Sequence, residues 1–245
     1  MSRDTNDAVE RALQDRRPLH QMFVAVPKRY DLVNRAITLG LDLRWRREAS
    51  RACLKDSPRR VLDLCCGTGD LAAELSRYAP RETAVIGLDF SRPMLRLAQR
   101  KVEALARPVT FVQGDASAMP FPDGCFDGIG ISFAFRNLTF RNPLSSRYLA
   151  EIRRVLAPGG RLVIVESSRP RSRFVQAAWK TYLNLFVAGV GSMLSGNRSA
   201  YHYLAQSAAR FYTPEEIHDL LRGSGFQKVT TRRRLFGAVA IHIAS

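Results

Sequence analysis

From Arg60 to Ser168 the chain alternates short apolar runs, each closed by glycine or an acid, with stretches of helical spacing. RVLDLC (60–65) precedes GDLAAELSRYA (69–79), TAVIGLDF (83–90) precedes SRPMLRLAQRKVEAL (91–105), and VTFVQGD (109–115) is a third run. FDGIGISFAF (126–135), SSRYLAEIRRVLA (145–157) and GRLVIVESS (160–168) continue the pattern. Strand–helix alternation of this length predicts an α/β fold: a doubly wound, mostly parallel sheet with right-handed crossovers. QKVTTRRRLFGAVAIHIA (227–244) reads as two closing strands joined near Phe236-Gly237, making seven. In such sheets ligands bind beyond the carboxyl ends of the strands.

The rest of the chain divides around that core. A polar tail (1–19) and an N-terminal helical cap (20–55) precede the core of 60–166. A helical insertion (170–212) and a closing helix with two strands (213–245) follow, all within one expected domain. TPEEIHDLLRGSGF has the marks of a capped helix, with Thr213 at the N-cap, Pro214 in the first turn and Glu216 placed for a capping box. The polar N-terminus is unlike a secretory signal, and TYLNLFVAGVGSMLSG (181–196) is too short to span a bilayer. These features lead to the expectation of a cytoplasmic protein.

The four cysteines, at 53, 65, 66 and 125, show no C-x-x-C spacing and no histidine partner set. No metal is expected, and Cys65 and Cys66 read as small side chains closing a buried strand. The net charge of +16 is unevenly spread: +6 over 1–60, −2 over 61–130 and +12 over 131–245. Basic flanks of this kind suit an anionic partner, whether lipid surface, nucleic acid or acidic substrate.

Gly67, Gly69 and Ala72 fit G-x-G-x-x-A, and Asp89 lies twenty residues after Gly69, so a nicotinamide or flavin dinucleotide is one reading. Asp63, near the end of the first strand, argues against it, because a carboxylate there repels a pyrophosphate. It suits a ligand with an ammonium and a sulfonium and no phosphate, which describes S-adenosylmethionine. The competing role for Asp63 is a helix or turn cap. Asp89 then accepts from the ribose hydroxyls and Asp115 from the adenine amine. The Ala116 amide is free for a ring nitrogen, and Met119 is placed to pack on the purine.

VLDLCCGTGDL, GLDFSRPML, GDASAMPFPDGCFD and LAPGGRLVIVE together resemble the motifs of class I S-adenosylmethionine-dependent methyltransferases, whose sheet is Rossmann-like. Four further stretches are similar to the quinone-biosynthesis C-methyltransferases of the UbiE/MenG family: PKRYDLVNRAITLGLDLRWRR (27–47), ISFAFRNLT (131–139), GNRSAYHYLAQSAARF (196–211) and the terminal GAVAIHIA. The resemblance implies cofactor contacts at Thr68, Asp89, Asp115, Ala116 and Ser132, with Gly67 and Gly69 giving backbone approach. It also implies methylation of a polyprenyl quinol, either demethylmenaquinol or the benzoquinol precursor of ubiquinone. Two positions depart from the family pattern: Phe140-Arg141 stands where an acid is usual, and Ser167 where an aromatic is usual.

Ring-carbon methylation needs a phenolate, which spreads charge onto the ortho carbon. Arg136 is the candidate to stabilise that charge and Asn137 to orient the oxygen, while Tyr30, Tyr201, His202 or a held water are candidates to take the ring proton. The aromatic residues Tyr201, Tyr203, Phe211 and Tyr212 read either as quinol-facing or as ordinary core. A membrane-borne substrate also accounts for the basic flanks. Clusters such as Arg44, Arg46, Arg47, Arg51 and Arg169, Arg171, Arg173 suit peripheral binding to the anionic inner face of a membrane. No nucleic acid is expected, although an RNA methyltransferase shares fold, cofactor and basic surface, and a methyltransferase of another lipid-like phenol is a further alternative. A homodimer stays open.

Overall fold

The structure, a computed structural model, describes residues 27–105, 107–190 and 198–245, without the side chains of 27–30, 33, 188, 190, 198–201, 203 and 204. Helices α1 (Pro27–Thr38) and α2 (Leu41–Cys53) lead into the sheet. Strands β1 (Arg60–Leu64), β2 (Ala84–Asp89), β3 (Val109–Gln113), β4 (Phe126–Ser132) and β5 (Leu156–Ser167) run parallel. The crossover helices are α3 (Asp70–Tyr78), α4 (Arg92–Val102), and the pair α5 (Phe135–Thr139) and α6 (Ser145–Val155). Strands β6 (Val229–Arg234) and β7 (Val239–Ala244) close the sheet in the order β3-β2-β1-β4-β5-β7-β6, with β7 antiparallel to both neighbours.

The switch in winding falls between β1 and β4, so the carboxyl ends of these two strands flank the crevice where such sheets bind ligands. Period-two alternation decides which layer each strand residue enters. Leu62, Leu64, Ile129, Ile131, Leu162 and Ile164 join one core with Phe135, Phe211 and Phe226. Val61, Val163, Val165 and Ile241 join the other, with Trp45, Leu71 and Leu75. Both faces are covered, which is why these strands read as near-continuous apolar runs.

Gly69, at φ 78°, opens α3, and a Cβ there would stand 2.8 Å from the Ala98 Cβ on α4. Glycine is therefore required both for the left-handed turn and for the close approach of the two helices. Strand β5 starts earlier than the sequence suggests. It already pairs Leu156 with Phe126, then bulges through Pro158-Gly159-Gly160 before regular register resumes at Arg161. The residues between the expected helix and strand thus form a bulge within the strand.

In the insertion, α7 (Arg173–Tyr182) continues into a π-helical stretch (Leu183–Val190) and α8 (Arg198–Arg210) packs back on it. Leu183, Val187, Ala205 and Ala208 form a small core of their own, joined by Ile37 of α1. Helix α9 (Pro214–Gly223) has the expected capping box, with the Glu216 N–H donating to Thr213 Oγ1 and the Thr213 N–H to Glu216 Oε2.

Candidate active site

The chain leaves β1 through Cys65, at φ 57°, and Gly67, at φ 54°, and enters α3 at Gly69. Asp63 faces the layer under α3 and is only 1% exposed. Its Oδ2 accepts the Ala72 N–H at 2.8 Å, one of the donors that the first turn of a helix leaves unpaired. Burial pushes this carboxyl up to about 8, against the pull of the Ala72 N–H and of Arg46. This corrects the expectation that Asp63 presents a charge to the ligand: in this structure it takes the capping role and holds the turn from beneath.

Asp89, at the end of β2, joins two turns. Its Oδ2 accepts the Gly67 N–H and its Oδ1 the Ser91 N–H, both at 2.8 Å, and burial raises its carboxyl above the usual range. Each carboxylate oxygen has a second lone pair, so the group can still accept from a ribose diol. Asp115 is exposed after β3 and accepts the Ser117 N–H at 2.8 Å, while Ala116 beside it is buried. Met119 is also buried and belongs to the main core, its N–H donating to Glu151.

Thr68 is tied to α1, an arrangement the sequence did not reveal. Its hydroxyl donates to Asp31 Oδ1 at 2.6 Å, and Lys101 Nζ of α4 reaches Asp31 and Asp70 at 2.6 Å each. Arg35 and Arg46 pair with Asp42 and also reach Asp70, at 3.0 and 3.6 Å. Salt bridges therefore fasten α1 and α2 against the Gly-x-Gly turn. Arg46 is buried in this network, Arg47 pairs with Glu74, and the Arg51 guanidinium lies over the Tyr78 ring. The first basic cluster named above is thus largely engaged within the protein.

At the end of β4, the Ser132 hydroxyl is buried and has no hydrogen-bond partner, as has that of Ser91 after β2. A Cβ at Gly67 would meet open space. Orphaned hydroxyls at two strand ends and an open glycine at the turn are what S-adenosylmethionine would fill, so these residues fit that cofactor.

Beyond Ser132, α5 carries Arg136, which is buried in an arrangement not anticipated from sequence. Its backbone N–H donates to Glu166 Oε2 at 3.1 Å and its Nη1 to Ser167 Oγ at 2.9 Å, with Glu166 Oε1 at 3.7 Å. The Ser167 hydroxyl and backbone N–H both donate to Glu166, at 3.0 and 2.9 Å. Arg136 Nε is buried without a partner. Arg136, expected to stabilise the phenolate charge, thus belongs to a buried ion pair and keeps Nε unpartnered. The signal for Glu166 was an acid at the end of strand five, beside the unusual Ser167. Asn137 is half-buried on the same helix, and its carbonyl accepts from Asn142 Nδ2 at 2.8 Å.

His202 is exposed and bonds Gln206 on its own helix at 2.8 Å, which removes it as a base in a water-excluded site. The side chains of Tyr30 and Tyr201, and of Tyr203, lie outside the described residues. Phe211 is buried in the main core, and both it and Tyr212 meet Phe140 edge-on, at 5.6 and 5.4 Å, so these two rings are core. Phe140, one of the two positions read above as departures, closes that aromatic cluster here. All four cysteines are free thiols, and burial pushes Cys53, Cys65 and Cys66 upward, away from thiolate chemistry.

The chain is also similar to known proteins over nearly its whole length. Residues 10–245 match the pattern of the ubiE/COQ5 methyltransferase family. Over 222 residues the chain is 43% identical to a demethylmenaquinone methyltransferase of Thermus thermophilus, covering 91% of this chain and 98% of the relative. A ubiquinone/menaquinone biosynthesis C-methyltransferase UbiE of Geobacter sulfurreducens is 38% identical, with 91% and 86% covered. Among solved structures, a SAM-dependent methyltransferase from Aquifex aeolicus superposes with a TM-score of 0.59 at 19% identity, over 83% of this chain and 90% of its own, a likeness of fold. The chain belongs to the ubiE/COQ5 methyltransferase family and is an S-adenosylmethionine-dependent methyltransferase.

Proposed function

We propose that the chain methylates a ring carbon of a polyprenyl quinol, with a demethylmenaquinol-type naphthoquinol as its natural acceptor. The observation carrying this reading is the match over nearly the whole length of a Thermus relative named for demethylmenaquinone. When bound, S-adenosylmethionine supplies an electrophilic methyl on sulfur. Gly67, Gly69, Thr68, Asp89, Asp115, Ala116 and Ser132 are the residues to hold it, and Asp63 supports them through α3.

What the protein must add is a phenolate, a fixed geometry and exclusion of water. The unpartnered Nε of Arg136 is the donor we assign to the quinol oxygen, with Asn137 beside it. Glu166 and Ser167, bonded to each other, both hold the guanidinium at Nη1. Pairing with Glu166 leaves little free charge, so Arg136 acts chiefly by directed hydrogen bonding, and the ring proton leaves to a held water or a tyrosine. The lipid-borne acceptor places the enzyme peripherally on an anionic membrane. Among the described residues no helix is long and apolar enough to cross one.

Removing Arg136 outright would strand the buried Glu166 carboxylate at a cost of about 3–5 kcal/mol, confusing loss of fold with loss of chemistry. Arg136→Lys keeps the charge and loses Nε. With reduced naphthoquinol and benzoquinol acceptors offered side by side, the wild type is expected to label the naphthoquinol preferentially. The lysine variant is expected to lose on the order of a hundredfold in kcat with little change in Tm. Unchanged kcat in Arg136→Lys would remove Arg136 from the chemistry, and labelling of neither quinol would overturn the acceptor assignment.

A further inference from the structure

Helix α7 buries none of its side chains. Phe174 is 89% exposed, and Ala178, Thr181 and Leu185 follow it at helical spacing, all exposed, with Phe186 alongside. Arg173 and Lys180, two turns apart, line one side of this stripe and are exposed too. A short helix with an apolar outer face edged by cations is the pattern of a segment that lies in a membrane interface.

A second apolar feature stands beside it. At the turn between β6 and β7, Leu235 and Phe236 take φ values of 46° and 54°, and Phe236 is 88% exposed. The left-handed region is unfavourable for any bulky side chain, and strain of this kind collects where a segment is held for a purpose. Here it holds two large apolar side chains out toward water.

The two features share one corner of the molecule. The Ser168 N–H donates to the Ala238 carbonyl at 2.8 Å and the Ser168 hydroxyl to the Gly237 carbonyl at 2.7 Å. A Cβ at Gly237 would come within 3.7 Å of the Pro170 Cα, only four residues before Phe174. Arginines 169, 171, 173, 232, 233 and 234 surround the corner, against Glu48, Glu215 and Glu216. Against the cost of burial, the Arg233 bond chiefly, and Arg171 least, hold the Glu215 carboxyl below its usual range, and Arg173 has no ion-pair partner among the described residues. The corner sits on the site's own edge of the sheet. Ser167, which accepts from Arg136, is in register with Val239 just after the turn.

We propose that this corner, Phe174 on α7 and Leu185 on the π-helical stretch that continues it, with Leu235 and Phe236 at the turn, docks on the headgroup and upper acyl region of an anionic phospholipid bilayer. The proposal rests on the lipid-borne acceptor and adds the surface through which it is reached. The excess of arginine matches anionic headgroups. Side chains protruding singly suit a fluid interface better than a protein partner, which needs about 800 Å² of fitted surface from each side. Docked this way, the acceptor edge faces the bilayer, and a quinol can pass to Arg136 with its tail still in lipid.

The test is flotation of the full chain with phosphatidylcholine vesicles, with and without phosphatidylglycerol. Binding is expected only with the anionic lipid. Phe174→Ser with Phe236→Ser should weaken it by about tenfold or more, and Arg171→Gln with Arg173→Gln by about fivefold per arginine. These positions are exposed, but a gain-of-signal variant guards against misfolding. Phe236→Trp should shift its fluorescence to the blue and be quenched by vesicles of brominated acyl chains. Undiminished binding by the serine variant, or an unquenched Phe236→Trp, overturns the proposal. A fall in self-association of the serine variant without lipid also overturns it, by showing the corner to be a contact between copies. A short-tailed, water-soluble quinol separates this proposal from the acceptor assignment. The serine variant should methylate it at the wild-type rate, whereas failure of the wild type on every quinol would count against the acceptor alone.

Discussion

Asp63 has its carboxylate 1% exposed, with one oxygen on the Ala72 N–H. Its acid lies near 8 in the folded chain, whereas a free aspartate lies at about 4. The folded state therefore binds an extra proton between those values. The stability this confers is complete below about pH 4 and is lost as pH rises through about 8. Asp63→Asn keeps an acceptor for Ala72 and removes the ionisation. The stability of wild type relative to Asp63→Asn is expected to fall from pH 5 to pH 9 by an amount on the order of a few kcal/mol. Paired thermal unfolding curves across that range measure it, and a difference that does not move with pH would show the carboxylate to be charged throughout. Asp63 also marks a limit of sequence reading. Its position in the motif was plain, but whether it faced ligand or helix depended on which layer the β1 alternation assigns it.

At the scale of elements, α1 is held on the Gly-x-Gly turn by side chains from three other helices. Lys101 is the hub, bonding Asp31, Asp70 and the Thr68 hydroxyl. Asp31 and Lys101 are 37% and 25% exposed, so their bond is worth no more than about 1 kcal/mol and is screened by salt. Lys101→Met is expected to speed amide exchange across residues 31–38 and to weaken S-adenosylmethionine binding severalfold, most clearly at low salt. Hydrogen exchange with mass spectrometry and calorimetric titration measure the two effects, and unaltered exchange would show that α1 is held by other contacts. The strands and helices of 60–168 were legible because period and punctuation are local. The contacts that build the site were not. Asp31 and Thr68 are 37 residues apart, and Arg136 and Glu166 are 30 apart. Their meeting depends on helix packing and on the β4–β5 register, which no local pattern carries. The insertion stayed ambiguous for a related reason: its aromatic spacing fitted both core and ligand, and only the placement of Phe211 and Tyr212 around Phe140 decides those two for core.

Over the whole molecule, the charge of +16 has different uses at different places. Around Arg35, Arg46 and Lys101 it is spent inside the fold, whereas around Arg171 and Arg173 it faces outward beside exposed aromatics. Net charge read from sequence gave the sign of a partner but not the face that meets it. The same sheet edge carries the Gly-x-Gly turn, the Arg136–Glu166 pair and the apolar corner, and on the proposed account a methyl donor from water and an acceptor from lipid meet there. The most direct test is the fate of the methyl group itself. Purified protein with carbon-13-methyl S-adenosylmethionine and reduced demethylmenaquinol should give a product whose labelled carbon resonates as a methyl on an aromatic ring carbon. A label resonating as a methyl ether, or remaining wholly on the donor, would contradict ring-carbon methylation.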